Sequence, residues 1–280
     1  MATATTPNVR LASLPPAAGQ AGLRGAIASE FTKLRSVRST YWTLGALFFV
    51  SVGLGIAITA GTAANFANNP GNKAGFDATQ ASLGAFFELG QLIIAVIGAM
   101  VITSEYSTGM IRTSLTVQPR RGTLLAAKGV VFFLVSFITG LVASFVSFFI
   151  GQAILSSKHL DVTLGDPNVL RAVIGGALFL AVCGMLAFGL GTLLRHTAGA
   201  ITASIGLLFV LFVLINFLPS SWQNHVDKWI PFNAGSQIWS TVPVHGNPPM
   251  FSPWAGFAVF TAYAAIAIIA GAFVFLKRDA

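Results

Sequence analysis

The residues best suited to do chemistry in this chain are the charged ones of a polar segment, 104–128, between two long apolar runs. The segment reads SEYSTGMIRTSLTVQPRRGTLLAAK, and Glu105 is its single acid. Its basic residues are Arg112, Arg120, Arg121 and Lys128. Guanidinium groups pair with carboxylates and phosphates in a planar, two-pronged geometry. The segment therefore predicts a site where a soluble protein docks on the cytoplasmic side of the membrane.

Patterns for catalysis or metal binding are missing from the sequence. It has no GxxxxGK[ST] phosphate loop, no HExxH, no CxxC and no GxSxG. The histidines share no ligand spacing, and the single cysteine, Cys183, lies within an apolar run. We therefore expect no catalytic residue and no metal site in this chain.

The composition predicts an integral membrane protein. The chain has 280 residues, of which 55% are hydrophobic and only 9% are charged, whereas a soluble domain carries about 25% charged residues. Its net charge is +8, but the basic residues cluster at the ends of apolar runs and not in a patch interleaved with aromatics. This placement favours contact with anionic lipid and argues against nucleic acid as a partner.

Six apolar runs are long enough to cross a bilayer, which takes about 20 helical residues. We predict spans at 41–63, 81–103, 130–154, 169–194, 198–218 and 254–276. Helices and closed β-barrels are the two structures that satisfy every backbone hydrogen bond in lipid. The alternation of apolar and polar residues that a barrel strand needs is absent, so the spans are predicted to be helices. The predicted fold class is an all-α integral membrane protein with six transmembrane helices.

The placement of Lys and Arg predicts that both termini are cytoplasmic. With the N-terminus inside, 12 of the 16 basic residues lie on the inner side. The outer side then holds the other four, which are Lys73, Lys158, Arg171 and Lys228.

The N-terminal region divides into two parts. Residues 1–22 are rich in Ala, Thr and Pro, and we predict a disordered tail. Residues 23–39 predict a helix at the inner membrane interface with its apolar face down, or else a plain basic flank of the first span. The residues that carry this interpretation are Ile27, Glu30, Phe31, Lys33, Leu34 and Arg35, together with Leu23.

Three polar residues inside predicted spans are candidates for a substrate cavity. Glu88 is the one acid in a predicted span, and Gln91 follows it by about one helical turn. Asn216 lies in the fifth span. A structural interpretation stands beside each: Glu88 lies at the outer headgroups, and Asn216 forms a hydrogen bond between helices.

The outer link 219–253 and the small residues of two spans each allow two interpretations. Trp222, Val226 and Trp229 are spaced for a short helix, and the tryptophans of this link favour an aromatic belt over a gate.

Small residues in spans three and four predict close helix packing, within the chain or between two copies. They are Ser136, Gly140, Ser144, Gly184, Gly189 and Gly191.

The segment 105–128 resembles the link between the second and third spans of ABC transporter permeases of the type-two exporter family. The matching positions are Glu105, Gly109, Ile111-Arg112, Leu115, Pro119-Arg120-Arg121 and Ala126-Ala127-Lys128. Met110 departs from the Thr that relatives often carry. SEFTKLRSVRSTYWTL at 29–44 and WIPFNAGSQIW at 229–239 are similar to actinobacterial members.

The resemblance implies a permease subunit of an exporter in the bacterial plasma membrane. It implies a separate ABC ATPase subunit that binds ATP and Mg, a second permease copy in a homodimer or heterodimer, and an exported solute of unknown kind. The link would carry a coupling helix that docks on the ATPase. The residues themselves predict such a helix. Gly109 can break the helix that continues from the second span, 110–117 is long enough for about two helical turns, and Pro119 ends this short helix.

Two other functions remain alternatives. A non-transport membrane subunit, for immunity or sensing, would bind a ligand without stimulating an ATPase. A gradient-driven secondary carrier usually has several ionisable groups near the membrane midplane, and this chain has one acid in a predicted span.

Overall fold

Six long helices dominate the computed structural model, which describes residues 22–36, 38–68, 76–242 and 250–277. No strand occurs within these ranges. The long helices are α2 (Arg38–Asn68), α3 (Ala78–Ser107), α5 (Arg121–Ser156), α6 (Val169–Leu194), the fifth span, and α11 (Pro253–Lys277). The fifth span runs continuously through α7 (Thr197–Ile205), a π-helical turn (Gly206–Val210) and α8 (Leu211–Ile215). All six are long and apolar enough to cross a membrane, which confirms the predicted all-α fold with six spans.

The described residues also form four short helices. They are α1 (Leu23–Ser36), α4 (Met110–Val117), α9 (Ser220–Val226) and α10 (Pro231–Ser236), and 3₁₀ turns occupy Asp227–Trp229 and Gln237–Trp239. The predicted helix 23–39 ends earlier than expected, because Arg38 and Ser39 already belong to α2. The predicted disordered tail lies outside the described residues except for Gly22.

Several spans extend past their apolar runs. The helix α5 begins at Arg121, nine residues before the predicted span, and α3 continues to Ser107. A polar residue does not interrupt the backbone hydrogen bonds of a helix, so the helix continues until a residue such as Gly or Pro stops it. These polar extensions carry the charged residues of the segment 104–128.

The helix α6 lies at the centre of the molecule and packs against α3, α5 and α11. Small residues allow this close approach. A Cβ added to Gly98 would collide with the Gly184 carbonyl oxygen, and one added to Gly271 would lie 2.7 Å from the Gly189 carbonyl oxygen. The predicted small-residue positions of spans three and four are all buried within the chain, so they serve internal packing.

Part of the link before α11 folds into the end of the helix bundle. Phe232, Ile238 and Trp239 are 4%, 0% and 2% exposed. Arg171 donates to the carbonyl oxygens of Ile238 at 3.0 Å and Ser240 at 2.8 Å. The carboxylate of Asp77 caps α3 and accepts from the backbone amide and hydroxyl of Thr241 at 2.9 and 2.6 Å. One acid and one base therefore hold residues 237–242 across the bundle end.

Candidate functional site

The helix α4 is a short, separately bounded element between α3 and α5. It has eight residues, and Gly109 precedes it in the left-handed conformation with φ of 72°. A residue with a Cβ is sterically strained in this conformation, whereas glycine is not. The helix ends at Val117, two residues before Pro119, whose ring cannot continue a helix. The predicted break, short helix and stop are all present in the structure.

The buried ammonium group of Lys128 joins three helices. Its Nζ donates to Glu30 Oε2 of α1 at 2.7 Å and to Glu105 Oε1 of α3 at 2.7 Å. Lys128, Glu30 and Glu105 are 5%, 4% and 7% exposed. A buried charge is tolerated only when it is paired, so these contacts fix the relative positions of α1, α3 and α5.

The ammonium group of Lys33 extends the same cluster to α4. Its Nζ donates to Glu30 Oε1 at 2.7 Å and to the Ser114 hydroxyl of α4 at 3.2 Å, and it lies 3.7 Å from Glu105 Oε1. We call Glu30, Lys33, Glu105 and Lys128 the charge cluster. It contains two acids and two bases, so its formal charge is zero. Its contacts connect α1, α3, α4 and α5.

The cluster holds Glu30 in its charged form. Burial raises the pKa of the Glu30 carboxyl, but the attraction and hydrogen bonds of Lys128 and Lys33 outweigh burial and bring its pKa below the ordinary value of 4.5. The second carboxylate oxygen of Glu105 is buried without a hydrogen-bond partner. Glu105 therefore retains one acceptor beyond its bonds to lysine.

The outer surface of α4 and its flanks is cationic. Ile111 is 3% exposed and Leu115 packs on the hydrophobic core, so one side of α4 faces the bundle. Arg112, Pro119 and Arg120 are exposed, and Arg121 is half-buried. The cluster uses both acids of the nearby helices, Glu30 and Glu105, in internal pairs. The exposed charges of this surface are therefore positive.

The helix α1 turns Glu30 and Lys33 toward the protein. Ala26 and Glu30 are buried against neighbouring helices, and Lys33 is half-buried. Leu23 and Phe31 are 48% and 53% exposed, while Ile27 and Leu34 are half-buried and Arg35 is exposed. An apolar helix face turned away from the protein is the arrangement expected of a helix that rests on lipid.

A cavity of about 230 Å³ separates α1 from α4. Its walls include Gly25 and Ser29 of α1 and Thr113 and Ser114 of α4, with Lys33 at its side. Small and hydroxyl side chains therefore separate the two helices next to the charge cluster.

The three residues proposed for a substrate cavity lie in different surroundings. Glu88 is exposed on α3. Gln91 is 1% exposed, and neither its amide nitrogen nor its amide oxygen has a hydrogen-bond partner among the described residues. Asn216 is exposed and donates to the Phe212 carbonyl oxygen at 3.0 Å, one turn back in its own span. Their joint role stays a prediction.

The described parts of the chain contain no group of three or more His, Cys, Asp or Glu side chains that could hold a metal ion. Cys183 is buried among apolar neighbours in α6.

Sequence reasoning singled out the members of the charge cluster but missed their pairing. Glu30 and Lys128 are 98 positions apart. The available signal was charge balance, because the predicted inner flanks hold only three acids, Glu30, Glu105 and Asp279, among twelve bases. Asp77 and Arg171 were also missed, since each reads as an ordinary polar residue near a span end.

The comparison with known families gives one match. The family described as ABC-2 family transporter protein matches residues 26–280. This chain belongs to the ABC-2 transporter family. It is therefore a permease component of an ABC transporter and a multi-pass membrane protein. Such permeases are membrane subunits that generally lack an ATPase of their own and have an ABC ATPase as partner.

No curated protein matches this chain. The family match runs through α1, the charge cluster and α4 as well as the six long helices. The permease assignment therefore covers the whole candidate site.

Proposed function

We propose that this ABC-2 permease subunit exports a solute and takes its driving force from a separate ATPase subunit that docks on α4. The ATPase binds ATP and Mg, and two permease subunits, identical or related, form the pathway. The observation that carries the proposal is the charge cluster, which ties an exposed cationic helix to the inner ends of two spans and to α1.

The cluster gives α4 a physical means of moving the spans. A short helix on a flexible linker would absorb a push from a partner. Here Gly109 and Pro119 bound a rigid piece, and Ser114 contacts Lys33 at 3.2 Å. Glu30 forms ion pairs with both Lys33 and Lys128, and Lys128 also pairs with Glu105 of α3. Closure of the ATPase pair would therefore shift α1, α3 and α5 together between inward-open and outward-open states.

The proposed setting is the bacterial plasma membrane with both termini cytoplasmic. The excess of basic residues at the α4 end supports this orientation, and the outward apolar face of α1 supports its place in the inner lipid interface. In this orientation residues 237–242 close the outer end of the bundle.

The coupling role is tested by removing the rigidity of the link. In the co-purified complex with its ATPase, residues 115–119 are replaced by a Gly/Ser sequence of equal length. We expect solute-stimulated ATP hydrolysis and export to be lost while the complex still assembles. The matched control replaces 163–167 in an opposite link and should retain both activities. Coupled hydrolysis that survives the first replacement contradicts the lever.

The orientation is tested by labelling of single cysteines in a Cys183→Ser background. A membrane-impermeant maleimide added to intact cells should label Ser157→Cys and leave Thr116→Cys unlabelled until the cells are opened. Both positions are exposed in the structure. Labelling of Thr116→Cys in intact cells would place α4 outside and rule out docking of a cytoplasmic ATPase.

We propose Glu88, Gln91 and Asn216 as contacts for the exported solute. The support is the buried Gln91 amide, whose two polar atoms have no partner, since such groups usually find one in a ligand or water. Transport of a solute panel by Glu88→Ala and Gln91→Leu should fall selectively. Unchanged transport by both variants removes the proposal without touching the coupling role.

A further inference from the structure

A lipid-sized groove lies at the end of the fifth span, far along the chain from the charge cluster. Its volume is about 630 Å³. The walls come from α8, the 3₁₀ turn at Asp227–Trp229, and α11. The residues that matter here are Leu211, Leu214, Ile215, Trp229, Ile230 and Tyr263. Leu214 and Trp229 are 52% and 48% exposed, so the groove opens to the surroundings of the protein.

The interior of the groove is apolar. Among the residues that the structure describes, no charged side chain lines it. The Tyr263 hydroxyl donates to the Trp229 carbonyl oxygen at 2.9 Å, so this polar group is already satisfied within the protein. A polar solute would lose its hydration here without gaining hydrogen bonds, whereas a hydrocarbon chain would lose nothing.

A cation lies next to the Trp229 wall of the groove, on the side of Phe251. The ring of Trp229 packs edge-on against Phe251 with centroids 5.0 Å apart, and the Lys228 ammonium lies 5.6 Å from the centre of the Phe251 ring. The neighbouring acid, Asp227, is engaged within the protein, since its Oδ1 accepts from Asn233 Nδ2 at 2.6 Å. The site thus combines an apolar groove with a positive charge next to one of its walls.

We propose that this groove binds one acyl chain of an anionic phospholipid of the surrounding membrane, with the lipid phosphate beside Lys228. The groove adjoins a span end, where lipid headgroups lie, and Trp222 and Trp254 are 63% and 61% exposed nearby in the sequence, as expected at that level. A phospholipid supplies both parts that the site recognises. This lipid site does not depend on the ATPase or on the coupling role of α4.

The headgroup part is tested by lipid retention. The full chain is reconstituted in nanodiscs that mix phosphatidylglycerol with phosphatidylcholine, extracted into mild detergent and weighed by native mass spectrometry. We expect phosphatidylglycerol to be retained over phosphatidylcholine by about fivefold, the effect of one basic residue near a lipid surface. Lys228→Gln should abolish this preference. The matched control, Lys158→Gln, changes an exposed lysine of another link and should keep it.

The acyl-chain part is tested by filling the groove. Leu214→Trp should reduce retention of both lipids, whereas Ile138→Trp, at an exposed position of α5, should not. Equal retention of the two lipids by the native chain overturns the proposal, as does a preference that survives Lys228→Gln. A disulfide between two chains carrying Leu214→Cys and Cys183→Ser would show that a second copy fills the groove, and this result also overturns it.

Discussion

Lys128 shows how one residue can hold the α4 end of the permease together. Its ammonium group contacts two carboxylates at 2.7 Å while the residue is 5% exposed. Removing one member of a buried ion pair leaves an uncompensated charge, which costs about 3–5 kcal/mol. We therefore expect Lys128→Met to lower the free energy of unfolding by about that amount, measured by denaturant titration in mixed micelles.

Two companion variants separate this effect from a general loss of lysine. Lys158→Met, at an exposed position, should change stability by less than about 0.5 kcal/mol. Combining Lys128→Met with Glu30→Gln and Glu105→Gln should recover much of the loss, because no charge is then left buried. A triple variant as unstable as Lys128→Met alone would show that packing, and not charge, is what Lys128 contributes.

Glu30 predicts a dependence of stability on pH. Its pKa in the folded protein lies below the ordinary value of 4.5. Between the lowered pKa of the folded protein and the ordinary pKa of the unfolded chain, the unfolded chain binds more protons than the folded protein. The free energy of unfolding therefore rises with pH in this window. The contribution of Glu30 is fully present above about pH 4.5 and is lost as the pH falls through the folded pKa. Thermal unfolding in detergent at a series of pH values measures it.

The control for the pH effect is Glu30→Gln, which removes the titrating group and keeps the shape. The difference in stability between the native chain and this variant should shrink as the pH falls below 4.5. A difference that stays constant down to pH 3 would mean that Glu30 is not held in its charged form.

Among the elements, α4 depends on the backbone conformation of Gly109. Its φ of 72° is costly for a residue with a Cβ, by about 1–2 kcal/mol. We expect Gly109→Ala to lower stability by that amount and to reduce solute-stimulated ATP hydrolysis, since the start of α4 must shift. The space around Gly109 is open, so any loss comes from the backbone and not from a clash.

Gly61 is the matched control for this substitution. It lies within α2, has no atom within 4 Å of an added Cβ, and has an ordinary helical backbone. Gly61→Ala should stabilise the protein by about 0.5–1 kcal/mol. The two glycine substitutions should therefore have opposite signs, and the same sign for both would contradict the role given to Gly109.

For the whole molecule, the Asp77 and Arg171 contacts predict how the proposed outer end is kept closed. Hydrogen bonds to a charged group are worth about 1.5–3 kcal/mol, and Asp77 accepts from Thr241 and Val242. Asp77→Asn turns an amide NH₂ toward one of these donors. We expect backbone amides in 237–242 to exchange hydrogen at least about tenfold faster, as measured by mass spectrometry.

Asp161→Asn, an exposed acid of the neighbouring link, is the control and should leave exchange in 237–242 unchanged. Unchanged exchange in Asp77→Asn would mean that burial of Ile238 and Trp239 holds this segment without the acid.

The six long helices and the short helix α4 follow from the sequence because their causes are local. Runs of about 20 apolar residues satisfy the bilayer by themselves. Gly109 and Pro119 bound α4 through their own backbone chemistry. Glu30 and Lys33 were singled out as candidates by their place in the basic N-terminal helix, and Glu105 and Lys128 by the polar segment and its family resemblance.

The tertiary structure decided which of these residues meet. Lys128 reaches Glu30 across 98 positions, and such a pair depends on the rotation and register of whole helices, which no local pattern encodes. Trp229 and Trp239 make the same point, since one is 48% and the other 2% exposed within one link. Their different surroundings arise because only the second enters the helix bundle, where Gly84 of α3 leaves room for its ring.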